Sequence, residues 1–358
     1  MVKNFFSDLV LVTVLMFFVH CNNDPEPVGG SSFSNGVFIV NEGNFSDSDG
    51  SLSFYDIDSS KVSNKVFEAI NDRPLAAVFQ SMSFYGGYGF LIDQSGRIEI
   101  VDEETLLSFK VIDDDLVIPR YFAGYGNKGY VTDWGPYDEF YMNNESKIKV
   151  FDLESLTYEG EFETSSRPED ILILKGKIYV ANSGTNLISV YNPEDHSLLK
   201  EIEVNNGPTK FVVDKNDHIW VVSTGTFLSS GAIQEINTDN DEVLQTIDLG
   251  DTIPNGRFTI DGTGEVFFFM TEQWAPDYSM TWNTVIKGSV EDPDQFDPII
   301  TGQNLYGLGV DPVSGYIYVA DAVAFQGNGK VTSYDIFGNV EEEFSVGRGP
   351  RDFVFVRK

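Results

Sequence analysis

The chain has 358 residues, and Asp and Glu outnumber Lys and Arg by 56 to 23, giving a net charge of −33. That balance excludes the basic face that nucleic acid needs and opposes adsorption to anionic lipid. A single cysteine excludes an intrachain disulfide, and 29 Phe, 16 Tyr and 33 Gly without a long helical pattern favour an all-β chain rich in tight turns.

In chain order, Lys3 precedes an apolar run from Leu9 to Val19. The run is too short to span a bilayer as a mature helix and suits the core of a signal peptide. Cys21 follows it directly, preceded by His20 where a small residue is usual, and then comes the polar stretch NNDPEPVGGSSFSNG. This arrangement resembles a bacterial lipoprotein cleavage site. The resemblance implies a signal peptide over 1–20, lipidation at Cys21, a flexible linker over 21–35 and one domain over 36–358. Asp24 and Glu26 resemble the export signal of Bacteroidetes lipoproteins that reach the outer face of the outer membrane. The anchor would then be lipid rather than a transmembrane helix.

From Gly36 onward one unit repeats. An aromatic-apolar-apolar-polar strand recurs as FIVN (38–41), FLID (90–93), YVTD (130–133), YVAN (179–182), WVVS (220–223), FFFM (267–270) and YVAD (318–321). A second strand follows in step: SLSFYD (51–56), RIEIVD (97–102), KIKVFD (147–152), LISVYN (187–192), AIQEIN (232–237), TVIKGS (284–289) and KVTSYD (330–335). The sixth copy fits least well, because it lacks the closing Asp or Asn. A period of about 40–50 residues with four strands per unit predicts a β-propeller. The plainest copy is Lys177–Pro208, with only SGTN between its second and third strands.

The two ends of the repeat region are complementary. The first unit begins at its second strand, whereas GPRDFVFVRK (349–358) supplies a spare inner strand equivalent to GPTKFVVD (207–214). The expectation is a seven-bladed propeller of four-stranded antiparallel blades. Phe353–Val356 would pair into blade 1 and close the ring, which removes open strand edges.

KIYVAN…ISVYN and its relatives resemble the YVTN/YncE-like propeller family. The opening GVFIVNEGN…GSLSFYD (36–56) resembles a Bacteroidetes family of surface lipoprotein propellers that includes the cobalamin-binding BtuG type. That resemblance implies capture of a corrinoid on the top face and its transfer to a TonB-dependent outer-membrane transporter. Without it, the residues leave open another large ligand (siderophore, haem or glycan) or a protein-interaction role.

Long loops after second strands gather on the top face, and long loops in compact folds are usually functional or disordered. They are EGNFSDSDG (42–50), WGPYDEFYMNNES (134–146), TGTFLSSG (224–231), TEQWAPDYSMTWN (271–283) and AVAFQGNG (322–329). Their aromatics are Trp134, Tyr137, Phe140, Tyr141, Phe227, Trp274, Tyr278, Trp282 and Phe325. Either they cap the blades by packing on one another, or some contact a ligand or partner. A basic residue lies near the start of six inner strands: Arg73, Arg120, Arg167, Lys210, Arg257 and Arg351, with blade 7 as the exception. These form either a ring of donors around the tunnel mouth or ion pairs with Glu42, Glu169 and Asp352. Blade 4 would be a low wall contributing Arg167 and Asn182.

Signals for catalysis are sparse. His196 and His218 read as solvated residues of bottom hairpins, and no His–carboxylate metal cluster or His-activated nucleophile is expected. SDSDG (46–50) and DDD (113–115) read as solvated loops rather than Ca²⁺ sites, the first being only a fragment of a calcium loop. A binding protein without metal or cofactor, rather than an enzyme, is the expectation.

Overall fold

We describe the fold from a computed structural model, in which residues 33–75, 78–274 and 281–357 are described. Expectations for residues 1–20, for Cys21 and for Tyr278 lie outside the described residues. The strands form seven four-stranded antiparallel sheets, each in sequential order except at the ring closure. The inner strands are Phe79–Tyr85, Pro119–Tyr125, Pro168–Leu174, Pro208–Val213, Ile253–Ile260 and Leu305–Val310 in blades 2 to 7. In blade 1 that position is taken by Pro350–Arg357, which pairs antiparallel with Asn35–Asn41 (Ile39 opposite Phe353, Val37 opposite Phe355). The expected seven-bladed ring and its closing strand are therefore present.

The second strands read as nearly continuous apolar runs because both their faces are buried. Tyr179 and Ala181 pack with Phe211 and Val221 of blade 5, while Ile178 and Val180 pack with Tyr130 and Ile148 of blade 3. Equivalent layers join the other blades, such as Trp220 against Phe267 (5.4 Å) and Phe90 stacked on Phe122 (3.8 Å). The polar residue ending the motif caps the incoming inter-blade loop. Asp133 accepts backbone N–H bonds from Val117, Ile118 and Gly135, and Asp93 from Val78 and Ser95.

Two features lie outside the repeat. Phe33, ahead of the boundary drawn at Gly36, is buried against Phe38 (5.1 Å) and Phe54 (4.9 Å). A short helix, Val66–Asn71, follows the three-residue outer strand of blade 1 and buries Val66 and Phe67 against blades 1 and 2.

At the closure Phe353 is buried and packs on Tyr318 of blade 7 (6.0 Å), and Arg357 is ion-paired to the buried Asp311. Phe353→Ala should cost about 3–5 kcal/mol in urea unfolding, as other buried Phe truncations do. Leu244→Ala, on the exposed outer edge of blade 5, should change stability by no more than about 0.5 kcal/mol. Equally small losses at both positions would count against the closing strand as the seal of the ring.

Candidate functional site

The axis of the propeller is shaped by irregularities at the head of every inner strand. Pro119 pairs with Asp133 but Phe122 with Val131, so one extra residue is inserted; Pro168/Asp170, Pro208/Lys210, Phe79/Ser81, Leu305/Gly307 and Pro350/Asp352 repeat the shift. Blade 6 inserts two, between Pro254 and Phe258. A β-bulge re-aims the extra side chain, and here the bulged residues, Gln80, Arg120, Glu169, Thr209, Tyr306 and Arg351, mark the top of the axis. Proline precedes the bulge in five blades, where its missing N–H costs no ladder bond.

These side chains bind one another across the blade boundaries. Arg120 holds Glu169 with two parallel bonds (Nε–Oε2 3.0 Å, Nη2–Oε1 2.8 Å) and Gln94 with Nη1 (2.6 Å). Arg351 donates to Glu42 (3.0 Å) and Gln80 (2.9 Å), and the Tyr306 hydroxyl donates to the same Glu42. Lys210 reaches Asp170 (3.3 Å) and lies over the Tyr121 ring (4.7 Å). Burial pushes the Glu169 carboxyl up, but Arg120, with Arg351 and Arg257 behind it, more than reverses this and holds it below the usual carboxylate range. Burial favours neutral Lys210, yet Asp170 beside it keeps the ammonium protonated.

Beside this network is a cavity of about 290 Å³ whose wall includes Tyr121, Glu169, Lys210, Arg257, Tyr306, Arg351 and Asp352. Around it rise the top loops. Trp134 is half-buried between two guanidinium groups, Arg120 at 4.3 Å and Arg167 at 5.5 Å from its ring. Tyr137, Phe140 and Tyr141 of the same loop are exposed, and Phe227 at the tip of the blade 5 loop is wholly so (102%). That loop and Ile253 line a second, open cleft of about 740 Å³.

Residues 35–345 match the family described as Domain of unknown function (DUF5074). The chain belongs to the DUF5074 family. No curated protein matches it. Among solved structures it is similar to a quinonprotein alcohol dehydrogenase-like protein of Bacteroides thetaiotaomicron (16% identity, TM-score 0.66, covering 91% of this chain and 79% of that one). It is also similar to the periplasmic gluconolactonase of Pseudomonas aeruginosa (14%, 0.61, 90% and 99%) and to hydrazine synthase of Kuenenia stuttgartiensis (16%, 0.59, 75% and 86%). At these identities the likeness shows the fold alone.

Several sequence expectations for this DUF5074 chain need correction. Arg73 does not open an inner strand, because it follows directly on the inserted helix Val66–Asn71 and the inner strand of blade 2 begins only at Phe79. It sits instead beside the outer part of blade 2, ion-paired to Glu99 (2.6 Å) and bonded to Ser108 (3.0 Å). The stretch 271–283 is not simply a loop. Its two strands run on as Val266–Trp274 and Thr281–Ser289, a projecting arm. Phe267 and Phe269 face blade 5 while Phe268 and Met270 face blade 7. Strand alternation then sets Trp274 on the blade 7 side and Trp282, opposite Gln273, on the blade 5 side. The two tryptophans thus serve different faces of the arm, each about half exposed.

Arg167 and Asn182 do not form an open wall. Arg167 clamps the blade 3 loop through Asn143 Oδ1 (2.8 Å) and the Tyr141 carbonyl (2.9 Å), while Asn182 is buried and bonds to Ser189 (3.0 Å). Phe325 packs edge-on against Tyr306 (5.1 Å). Asp47 and Asp49 are both held by Arg348, and Asp113, Asp114 and Asp115 are exposed.

The histidines are also less solvated than expected. His196 stacks on Phe162 (4.9 Å). His218 does join a cluster with carboxylates, because the turn after Asp214 folds its ring back over the strand carrying Glu235. Ligand atoms of Asp214, His218 and Glu235 lie within 4.8 Å of one another. Each is already engaged: Asp214 by the His218 amide and the Trp220 indole (3.0 Å), His218 Nδ1 by Glu235 (2.7 Å), and Glu235 by Gln245 (2.6 Å). The cluster fastens the hairpin, and its two carboxylates and imidazole are also a donor set that could hold a metal ion, contrary to the expectation that no such cluster forms.

Arg120→Ala should cost about 3–5 kcal/mol by urea unfolding, because it strands a buried carboxylate. The Glu169 contribution should be complete above the ordinary carboxylate pKa of about 4.3 and disappear as pH falls through its lower folded value. Glu169→Gln should flatten that acid limb, and an unchanged acid limb would show that the pair does not govern it.

Proposed function

We propose that this protein is a lipid-anchored surface propeller that captures a large, partly apolar ligand on its top face, and that the ligand is a corrinoid passed on to a TonB-dependent outer-membrane transporter. The observation that carries the reading is the combination of exposed aromatics with a polar axial cavity. Trp274, Trp282, Tyr137, Tyr141 and Phe227 are exposed in the segments after second strands, and the axial cavity is lined by charged groups. Flat apolar surface would stack on the rim, and amide or oxyanion substituents would reach the axial donors. The identity of the ligand rests on the resemblance of residues 36–56. The anchor rests on Cys21 and its flanks, and the outer-membrane location on Asp24 and Glu26.

The axial cations divide into two sets under this reading. Arg120, Arg167 and Arg351 mainly hold the site together through Glu169, Asn143 and Glu42. Arg257 faces the ligand. Phe227 and neighbouring Leu228, exposed at one loop tip, favour a second reading in which this tip is a hot spot for a protein partner.

Calorimetric titration of the protein with cyanocobalamin should give saturable 1:1 binding in the micromolar range or tighter, weakened at least tenfold by Trp282→Ala. Absence of saturable heat would sink the corrinoid assignment, and saturation by haem or a ferric siderophore instead would replace it. In cells, Cys21→Ser should abolish palmitate labelling and release the protein from the membrane fraction.

A further inference from the structure

In a chain this acidic, a guanidinium without a carboxylate is conspicuous. Arg73, Arg97, Arg120, Arg348, Arg351 and Arg357 each contact an acid within 4.0 Å. Arg167 spends its fork on the blade 3 loop. Arg257 differs. Its Nε donates to the Tyr306 carbonyl (2.7 Å), and among the described residues neither of its terminal nitrogens has a hydrogen-bond partner.

The surroundings hold this group ready. Arg257 lies in the two-residue bulge peculiar to blade 6 and lines the axial cavity. Gly256 before it has φ +83°, and a side chain there would press on Thr209 Oγ1 at 3.2 Å. The left-handed backbone and the close approach to blade 5 both favour glycine at this point. The guanidinium lies over the Tyr306 ring (4.9 Å), and that ring is fixed by its bond to Glu42 and by Phe325. A planar fork, anchored at Nε and stacked on an aromatic, is preorganised for bidentate binding of a planar oxyanion.

We propose that the axial cavity is a carboxylate-binding site, with Arg257 as its anion-recognising residue and the open Nη pair as the contact. Among the described residues Arg257 has no carboxylate within 4.0 Å, and Glu169 and Asp352 in the same wall repel further negative charge, so a monoanion fits better than a dianion. Those two carboxylates accept hydrogen bonds, so hydroxyl groups on the ligand would be matched as well. A volume of about 290 Å³ suits a small hydroxy acid, or the acidic substituent of a larger molecule seated on the rim. The inference rests on the top face being a ligand-binding surface and does not require the ligand to be a corrinoid.

The test uses the full chain, labelled with ¹⁵N, and follows the arginine Nε–H resonances during titration with lactate, glycerate and inorganic phosphate. The Arg257 resonance should move and saturate with both hydroxy acids. Affinity should fall at least tenfold in Arg257→Gln and less in Arg257→Lys, which keeps the charge but not the fork. Arg73→Gln should bind as wild type does, and unfolding curves would verify that all variants are folded. No saturable shift by either hydroxy acid up to about 50 mM, or equal affinity in Arg257→Gln, would overturn the site. Phosphate binding as tightly as lactate would overturn the monocarboxylate assignment. Comparing cyanocobalamin binding in Trp282→Ala and Arg257→Gln separates the two readings. Hydroxy-acid binding at Arg257 without corrinoid binding leaves this site standing and removes the corrinoid. The converse removes this site alone.

Discussion

One or two extra residues at the head of each inner strand set the character of the whole top face. A regular antiparallel ladder would bury every side chain between neighbouring blades. The bulge releases at least one side chain in each blade to the axis, and these must then satisfy one another in a confined space. Arg120 with Glu169, and Arg351 with Glu42 and Gln80, are the resulting solution. Ion pairs this buried stabilise little in net terms, but losing one partner is severe. Their stronger effect is on specificity, since each joins residues from different blades and therefore fixes blade order and phase. Against an overall charge of −33, the axis is nearly balanced, and that balance is what makes Arg257, a guanidinium with both terminal nitrogens open among the described residues, distinctive.

The fold was legible in the sequence because a propeller writes its period seven times. The apolar strand motif, the polar residue that caps the next loop and the spare inner strand all follow from backbone pairing and burial, which act locally and repeat. The axial residues were only partly legible. Their types vary from blade to blade, so no alignment of the repeats brings out Gln80, Thr209 or Tyr306, although Glu42 and Glu169 are expected as ion-pair partners. The recurring signal was the proline just before them, at Pro119, Pro168, Pro208, Pro254 and Pro350, which marks the bulge rather than its occupant. Arg73 stands apart because it belongs to the end of an inserted helical segment, several residues ahead of the strand start at Phe79. In blade 6 aromatic residues drew attention to a loop, whereas β-branched and aromatic side chains extended the ladder and divided the tryptophans between its two faces.

The histidines illustrate a related limit. His196 and His218 occupy turns, and turn residues are usually hydrated. Each instead lies on a neighbouring strand's side chain, Phe162 or Glu235. Such contacts depend on which strands the hairpin overhangs, and that is settled by sheet order rather than by local composition.

Closure of the ring by Pro350–Arg357 has a consequence for the life of the molecule. Arg351 lies on that strand, and it completes the axial network by joining Glu42 near the start of the domain to Gln80 of blade 2. During synthesis, a chain halted before Pro350 is an open arc in which Glu42 and Gln80 lack their cation. The axial cavity therefore cannot mature blade by blade; it comes into being in one step, when the two ends of the domain meet. Completion of the cavity and completion of the fold are the same event, so a truncated product has no finished axis.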